Sequence, residues 1–168
     1  MTVASIHKDP EALTMTITAE LDATVERAWQ LWADPRQLER WWGPPTYPAT
    51  VVDHDLSVGS RVTYFMTGPE GDRHHGWWEV LAVDPPKQLE LKDGFADDGG
   101  TPDDAMPTTT MVVSLSERTG GGTLMTIESR YPSLPAMEQL VSMGMEEGIT
   151  AALGQIPEIL SGPVTPRS

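Results

Sequence analysis

The chain contains no cysteine, which excludes disulfides, thiolate zinc sites and thiolate nucleophiles together and leaves packing to hold the fold. Basic residues are scarce: 11 Lys and Arg stand against 25 Asp and Glu, a net charge of −14. Binding a phosphate backbone needs clustered cations that release counterions, so nucleic acid is not expected as a partner, and anionic membrane surfaces are disfavoured on the same ground. A neutral or cationic partner fits this charge. No window approaches the roughly 18 apolar residues of a membrane span, and MTVASIHKDPEA has no apolar run behind a basic start, which makes the cytoplasm the default compartment. Nucleophile elbow, phosphate loop and dinucleotide fingerprint are all missing. Phenylalanine occurs twice but tryptophan six times, so the aromatic bulk lies in indole rings that must be buried or used.

A length of 168 residues suits one domain over 1–168, with a core over about 13–160 and flexible ends, the last being SGPVTPRS. LTMTITAEL alternates Leu13, Met15, Ile17, Ala19 and Leu21 against threonines and Glu20, a half-buried strand. The period then changes. Val25, Ala28, Trp29 and Trp32 fall at helical spacing behind Thr24 as N-cap, and Asp34-Pro35 starts a second short helix that ends before Gly43-Pro44-Pro45. From about Ala49 to Tyr131 the period returns to two, in RVTYFMT, HGWWEVLAV, QLELK, TTTMVVSLS and GTLMTIESRY, and an antiparallel meander is the simplest topology. GFADDGGTPDDAM, between Asp93 and Pro107, reads as a surface loop without calcium-loop spacing. Behind Ser133 one long helical stripe follows, with Pro157 expected to kink or end it. These elements predict an α+β helix-grip fold: a curved antiparallel sheet wrapped around a long C-terminal helix, with two short helices after the first strand. A curved sheet and one helix cannot meet along their whole length, and Gly144 and Gly148 remove side-chain volume from the helix stripe, so a cavity is expected there.

Trp41 and Trp42, in RWWGPPTYP, would either cap the core or wall a ligand portal as rim and lid. Adjacent strand residues face opposite ways, so Trp78, in phase with Val80 and Ala82, is placed inside and Trp77 is left covered by a loop or exposed. Met66, Met111, Met125, Met137, Met143 and Met145 offer adaptable thioethers, as ordinary core or as cavity wall. Asp53, His54, Asp55, His74 and His75 are too poorly convergent on strands to hold a metal, and no cofactor is assigned. No catalytic residue is assigned either. A carboxylate facing a dry cavity, such as Glu128 or Glu146, could act as acid or base.

The runs TVERAWQLWADPRQLERWWGPP, DHDLSVGSRVTYFMTGPEGD, HHGWWEVLAVDPPKQLEL, GGGTLMTIESRYPS and MEQLVSMGMEEGI together resemble the bacterial proteins related to the activator of Hsp90 ATPase, within the START-like, Bet v 1-like superfamily also labelled SRPBCC. The resemblance covers roughly 15–160. It implies the helix-grip fold with a deep apolar cavity between sheet and C-terminal helix, but no shared catalytic set. Two positions depart from the pattern: Gly59-Ser60 stands for Gly-Gly, and Ile149 stands where an aromatic often follows the late glycine. The residues expected to line the cavity are Trp41, Trp42, Tyr64, Met66, Trp78, Met111, Met125, Ile127, Met137, Val141, Gly144, Met145 and Gly148, with Gly148 facing the sheet near Trp78. The favoured function is binding of a small hydrophobic or amphipathic molecule without catalysis. A cyclase or hydrolase using a cavity carboxylate, and a chaperone-interacting module, are the alternatives, and a homodimer is left open.

Overall fold

Strand alternation is realised as one open antiparallel sheet in a computed structural model that describes residues 3–161 apart from 98, 100 and 104. Among the described residues there are eight strands: β1 (Val3–Asp9), β2 (Thr14–Leu21), β3 (Ala49–Asp53), β4 (Arg61–Thr67), β5 (Arg73–Asp84), β6 (Gln88–Ala96), β7 (Thr109–Glu117) and β8 (Thr123–Arg130). Their order is β1-β2-β8-β7-β6-β5-β4-β3. β3 to β8 form the expected meander, and β2 with β1 extends it beside β8. Register shifts between Val51 and Asp53 and between Val80 and Ala82 are bulges that bend their strands. One face of the sheet carries the apolar set of every strand, from Met15, Ile17, Ala19 and Leu21 on β2 to Met125 and Ile127 on β8.

Two helices cross from β2 at one side of the sheet to β3 at the other: α1 (Val25–Ala33) and α2 (Pro35–Trp41). Thr24 Oγ1 accepts from the Arg27 backbone N–H at 3.1 Å, and Asp34 Oδ1 accepts from the Arg36 N–H at 3.0 Å with Pro35 at the first helical turn. Both starts are those expected from the residues. α1 packs on β7 and α2 on β3, so the pair covers one end of the inner face. After β8 the chain is helical again in α3 (Leu134–Ser142), α4 (Met145–Leu153) and α5 (Ile156–Ser161), which together are the gripped C-terminal helix.

Three details differ from the reading of the sequence. The first strand is β1, inside the segment expected to be a flexible end, and from Ser5 to Asp9 only Ile6 packs on the core, so that part shows no apolar alternation. The short helices therefore follow the second strand. Asp93 to Ala96 belong to β6, not to a loop, and Asp103 N–H returns to the Phe95 carbonyl at 2.8 Å. The C-terminal helix bends twice: at Gly144, left-handed with φ +86, and at Gly154-Gln155, just before Pro157 in the first turn of α5. Apart from Ser161, the tail SGPVTPRS lies outside the described residues. Among those residues no helix is long and apolar enough to cross a membrane.

The two helix glycines differ in kind, and substitution should separate them. Gly144 holds a backbone conformation that L side chains adopt at a cost of about 1–2 kcal/mol, whereas a Cβ at the helical Gly148 meets nothing within 4 Å. In urea melts Gly144→Ala should lower the unfolding free energy by that order, and Gly148→Ala should raise it by up to about 1 kcal/mol.

Candidate functional site

The half of the inner face not covered by α1 and α2 lies beneath the bend between α3 and α4, and a cavity of about 580 Å³ separates the two. Its wall is mostly carbon and sulfur: Met15 and Ile17 from β2, Met66 from β4, Phe95 from β6, Met111 from β7, Ile127 from β8, and Leu140, Met143, Met145 and Ile149 from the helices. Trp42 and Tyr47 close one side, where the Gly43 turn brings the chain back towards β3. A Cβ on Gly43 would lie 2.1 Å from the Tyr47 carbonyl oxygen, so that turn admits only glycine. Gln155 Nε2 donates to the Gly43 carbonyl at 2.7 Å and ties the turn to the end of α4.

One carboxyl is set into the sheet side of this wall. Asp93 follows Leu89 and Leu91 on the inner face of β6, opposite Trp78 on β5 and Thr109 on β7. Tyr64 stands on β4, two strands away, and its hydroxyl donates to Asp93 Oδ1 at 2.9 Å. The ring reaches across β5 because residue 76 is glycine: a Cβ there would lie 2.4 Å from the Tyr64 ring and hydroxyl. Burial pushes the Asp93 carboxyl up to about 7, against the opposing pull of the Tyr64 hydroxyl and the Gly94 backbone N–H. Burial first, then the Asp93 charge, holds Tyr64 well above its ordinary value. The Trp42 N–H is near enough to the Tyr64 oxygen to pull slightly the other way, but it makes no hydrogen bond. Ser129 and Thr109 complete the polar part of the wall, with His74, His75 and Glu147 further along it.

Of the residues expected to line the cavity, Trp42, Tyr64, Met66, Met111, Ile127, Gly144, Met145 and Gly148 do so. Trp41, Trp78, Met125, Met137 and Val141 do not. Trp41 turns into the core, where its N–H donates to the Leu31 carbonyl at 2.9 Å, and is no rim. Met125 shares the face of Ile127 but lies nearer the end of the sheet where α1 packs. The bend at Gly144 presents Leu140 and Met143 to the cavity in place of Met137 and Val141. Gly148 faces the cavity, whereas Trp78, expected beside it, is enclosed among other indoles. Trp77 lies on the outer face and is covered, at 7% exposure, with Gly94 beneath the ring and the Arg61 guanidinium 5.4 Å from its centroid.

Neither carboxylate named from the sequence reaches the cavity wall. Glu128 is on the outer face with Arg130, and Glu146 is paired to Lys8 at 2.8 Å. Asp93 is not among the residues expected from the sequence, because the strand signal QLELK stops at Lys92. Its signal was present in the continued alternation Leu89, Leu91, Asp93, Phe95 and in glycines at two strand interiors, Gly76 and Gly94, where close approach of another group is the usual cause. His54 Nε2 lies 2.9 Å from the Trp32 carbonyl and His74 sits on Asp72, so these residues have partners of their own.

The family model for activator of Hsp90 ATPase homolog 1-like proteins matches residues 22–161. A Mycobacterium smegmatis protein of known crystal structure is 48% identical, over 97% of this chain and 99% of that one, with a TM-score of 0.88. An Arthrobacter aurescens protein solved by NMR is also 48% identical, over 97% of this chain and 94% of that one, with a TM-score of 0.91. A protein in the dynemicin biosynthetic locus, 18% identical over 86% of this chain and 47% of that one, shares the fold at a TM-score of 0.60. No curated protein matches the chain.

Asp93 makes stability depend on pH in a stated direction. Its carboxyl binds a proton more tightly when folded, near 7 against an ordinary 3.8, so its stabilising contribution is full below about 4 and is lost as pH rises through 7. Between pH 5 and 8 the parent should lose roughly 2–3 kcal/mol that Asp93→Asn does not lose. Urea melts of both proteins at the two pH values measure the difference, and parallel pH profiles would refute it.

Proposed function

The chain belongs to the activator of Hsp90 ATPase homolog 1-like family, and on that premise we propose that it binds a small apolar or amphipathic molecule in the cavity between the sheet and α3–α4. The fold is the START-like, Bet v 1-like helix grip. The observation that carries the reading is the space at Gly148: a helical position facing the sheet, on the stripe where a core side chain belongs, at which an added Cβ meets nothing. Glycine inside a helix costs about 1 kcal/mol relative to alanine, so leaving that space open works against stability. Flexible methionines at Met15, Met66, Met111, Met143 and Met145 suit a wall that adapts to its occupant. The binding residues on this reading are Trp42, Tyr64, Met66, Met111, Ile127, Met145 and the two glycines, with Met15 and Phe95 added.

A second reading, acid–base catalysis on the bound molecule, is favoured by Asp93, whose carboxyl near 7 could give or take a proton at neutral pH. Rates with candidate substrates that fall in Asp93→Asn while binding persists would separate it from binding alone. For the chaperone-interacting reading, Trp77 is 7% exposed and offers no exposed aromatic surface to a protein partner.

The neutral dye N-phenyl-1-naphthylamine should bind the parent with a rise in dye emission, quench Trp42 and raise the melting midpoint, because a ligand that binds only the folded state stabilises it. Gly148→Leu should intrude on the space and weaken dye binding while melting no lower than the parent. A Gly148→Leu midpoint several degrees lower, with overpacking typically worth 1–3 kcal/mol, would mean close packing there and overturn the reading.

A further inference from the structure

The polar chemistry of the cavity is lopsided. The one carboxyl set into its sheet side is that of Asp93, beside the buried Tyr64 hydroxyl, and part of the Asp93 surface stays open to the cavity although protein surrounds it. Tyr64 occupies Oδ1 and the Gly94 N–H is the only backbone donor acting on the carboxylate, which leaves acceptor capacity unused. The other ionisable groups along the wall are Glu147 on α4, His74 and His75 on β5, Tyr47 in the turn before β3, and Tyr64 itself on β4. β2, β7, β8 and α3 contribute none. Among the described residues no lysine or arginine lines the cavity. Lys8 is engaged with Glu146 nearby, and Arg61 and Arg73 lie over the Trp77 and Phe65 rings. The first turn of α4 also faces the space, but its partial positive charge is offset by Glu146 and Glu147. The rings of Trp42, Tyr64 and Phe95 complete the wall around Asp93, and an aromatic face attracts a cation.

We propose that the cavity selects an amphipathic cation, a molecule with an apolar body and a protonated amine that seats on the Asp93 carboxylate. The proposal rests on the binding reading above and deepens it. An ammonium supplies the hydrogen-bond donors that the free carboxylate positions lack, in a site where little water competes for them. A carboxylate or phosphate head would meet like charge at Asp93 and Glu147 with no lysine or arginine to receive it. A neutral alcohol would give one weaker bond. The net charge of −14 also draws cations towards the protein before they find the cavity.

The test is displacement of bound N-phenyl-1-naphthylamine by octylamine, 1-octanol and octanoate, which share one chain length and differ in head group. High salt screens attraction to the acidic surface. At pH 8 octylamine should displace the dye at a concentration roughly tenfold or more below that of 1-octanol, with octanoate weakest. That advantage should shrink as pH falls through about 7, because Asp93 takes up its proton while the amine keeps its own. In Asp93→Asn the advantage of octylamine over 1-octanol should disappear. Tyr64→Phe removes a bond that favours the charged carboxyl, so it should keep the advantage and move the pH midpoint upward. Equal displacement by octylamine and 1-octanol, or an advantage that survives in Asp93→Asn, would overturn the proposal and leave the apolar cavity standing. Failure of the dye to bind the parent would overturn both. If Asp93→Asn melts too low to assay, Tyr64→Phe decides: an unmoved midpoint counts against Asp93.

Discussion

Four indoles fill the volume where α1 and α2 meet the sheet, and their mutual packing fixes where everything else can go. Trp32 contacts Trp41 at 4.8 Å between ring centroids, Trp42 at 6.0 Å and Trp78 at 5.9 Å, and Trp42 meets Trp78 edge-on at 4.8 Å. One ring comes from α1, two from the end of α2 and one from β5, so the cluster joins three elements with rigid, bulky parts. Only Trp41 satisfies its N–H, on the Leu31 carbonyl; the N–H groups of Trp32, Trp42 and Trp78 are buried without partners. Each such group forfeits about 1–3 kcal/mol, which edge-to-face contact with a neighbouring ring offsets in part. The arrangement is held by shape and apolar area more than by hydrogen bonds.

Because this solid block occupies one end of the inner face, the helices after β8 are left to cover the other end, and they do so incompletely. The left-handed turn at Gly144 swings α4 away from the line of α3, Tyr131 anchors the bend through its hydroxyl on Met145 Sδ at 3.3 Å, and Gln155 pins the far end of α4 to the Gly43 turn. Lys8 on the edge strand holds Glu146 from the other side. α4 is thus fastened at its two ends above a gap. Trp42 belongs to both halves, edge-on to Trp78 in the core and to Tyr64 at 5.9 Å on the cavity wall, so the solid half positions the ring that closes the hollow half.

Tyr64 extends the same logic into the sheet. A tyrosine on one strand can reach an aspartate two strands away only if the strand between presents no side chain, and Gly76 supplies that gap. Gly94 does the equivalent on the outer face for Trp77, whose N–H donates to the Phe95 carbonyl at 3.0 Å. Neighbouring strands thus carry one glycine for each face, and each lets a ring lie flat against the sheet. The carboxyl that results is surrounded by protein and hydrogen-bonded, yet part of its surface stays open to the cavity.

Much of this was legible in the residues. Alternation over Met15 to Leu21, the caps at Thr24 and Asp34, the meander from β3 to β8 and the helical stripe after Ser133 are local signals, set by side-chain periodicity and backbone hydrogen bonding within a few residues. They were enough to read a sheet, two short helices, a helical C-terminus and a cavity near Gly144 and Gly148. The polar edge strand β1 was invisible because its pairing with β2 uses backbone groups that every sequence possesses. Which tryptophan walls a cavity and which fills a core depends on distances between elements far apart in the chain, and so Trp41 and Trp78 were placed on the cavity although both lie in the core. Asp93 is the sharpest case. Its neighbours in sequence mark it as polar, and only the approach of Tyr64 over Gly76, from 29 residues away, turns it into a buried acid facing an apolar space.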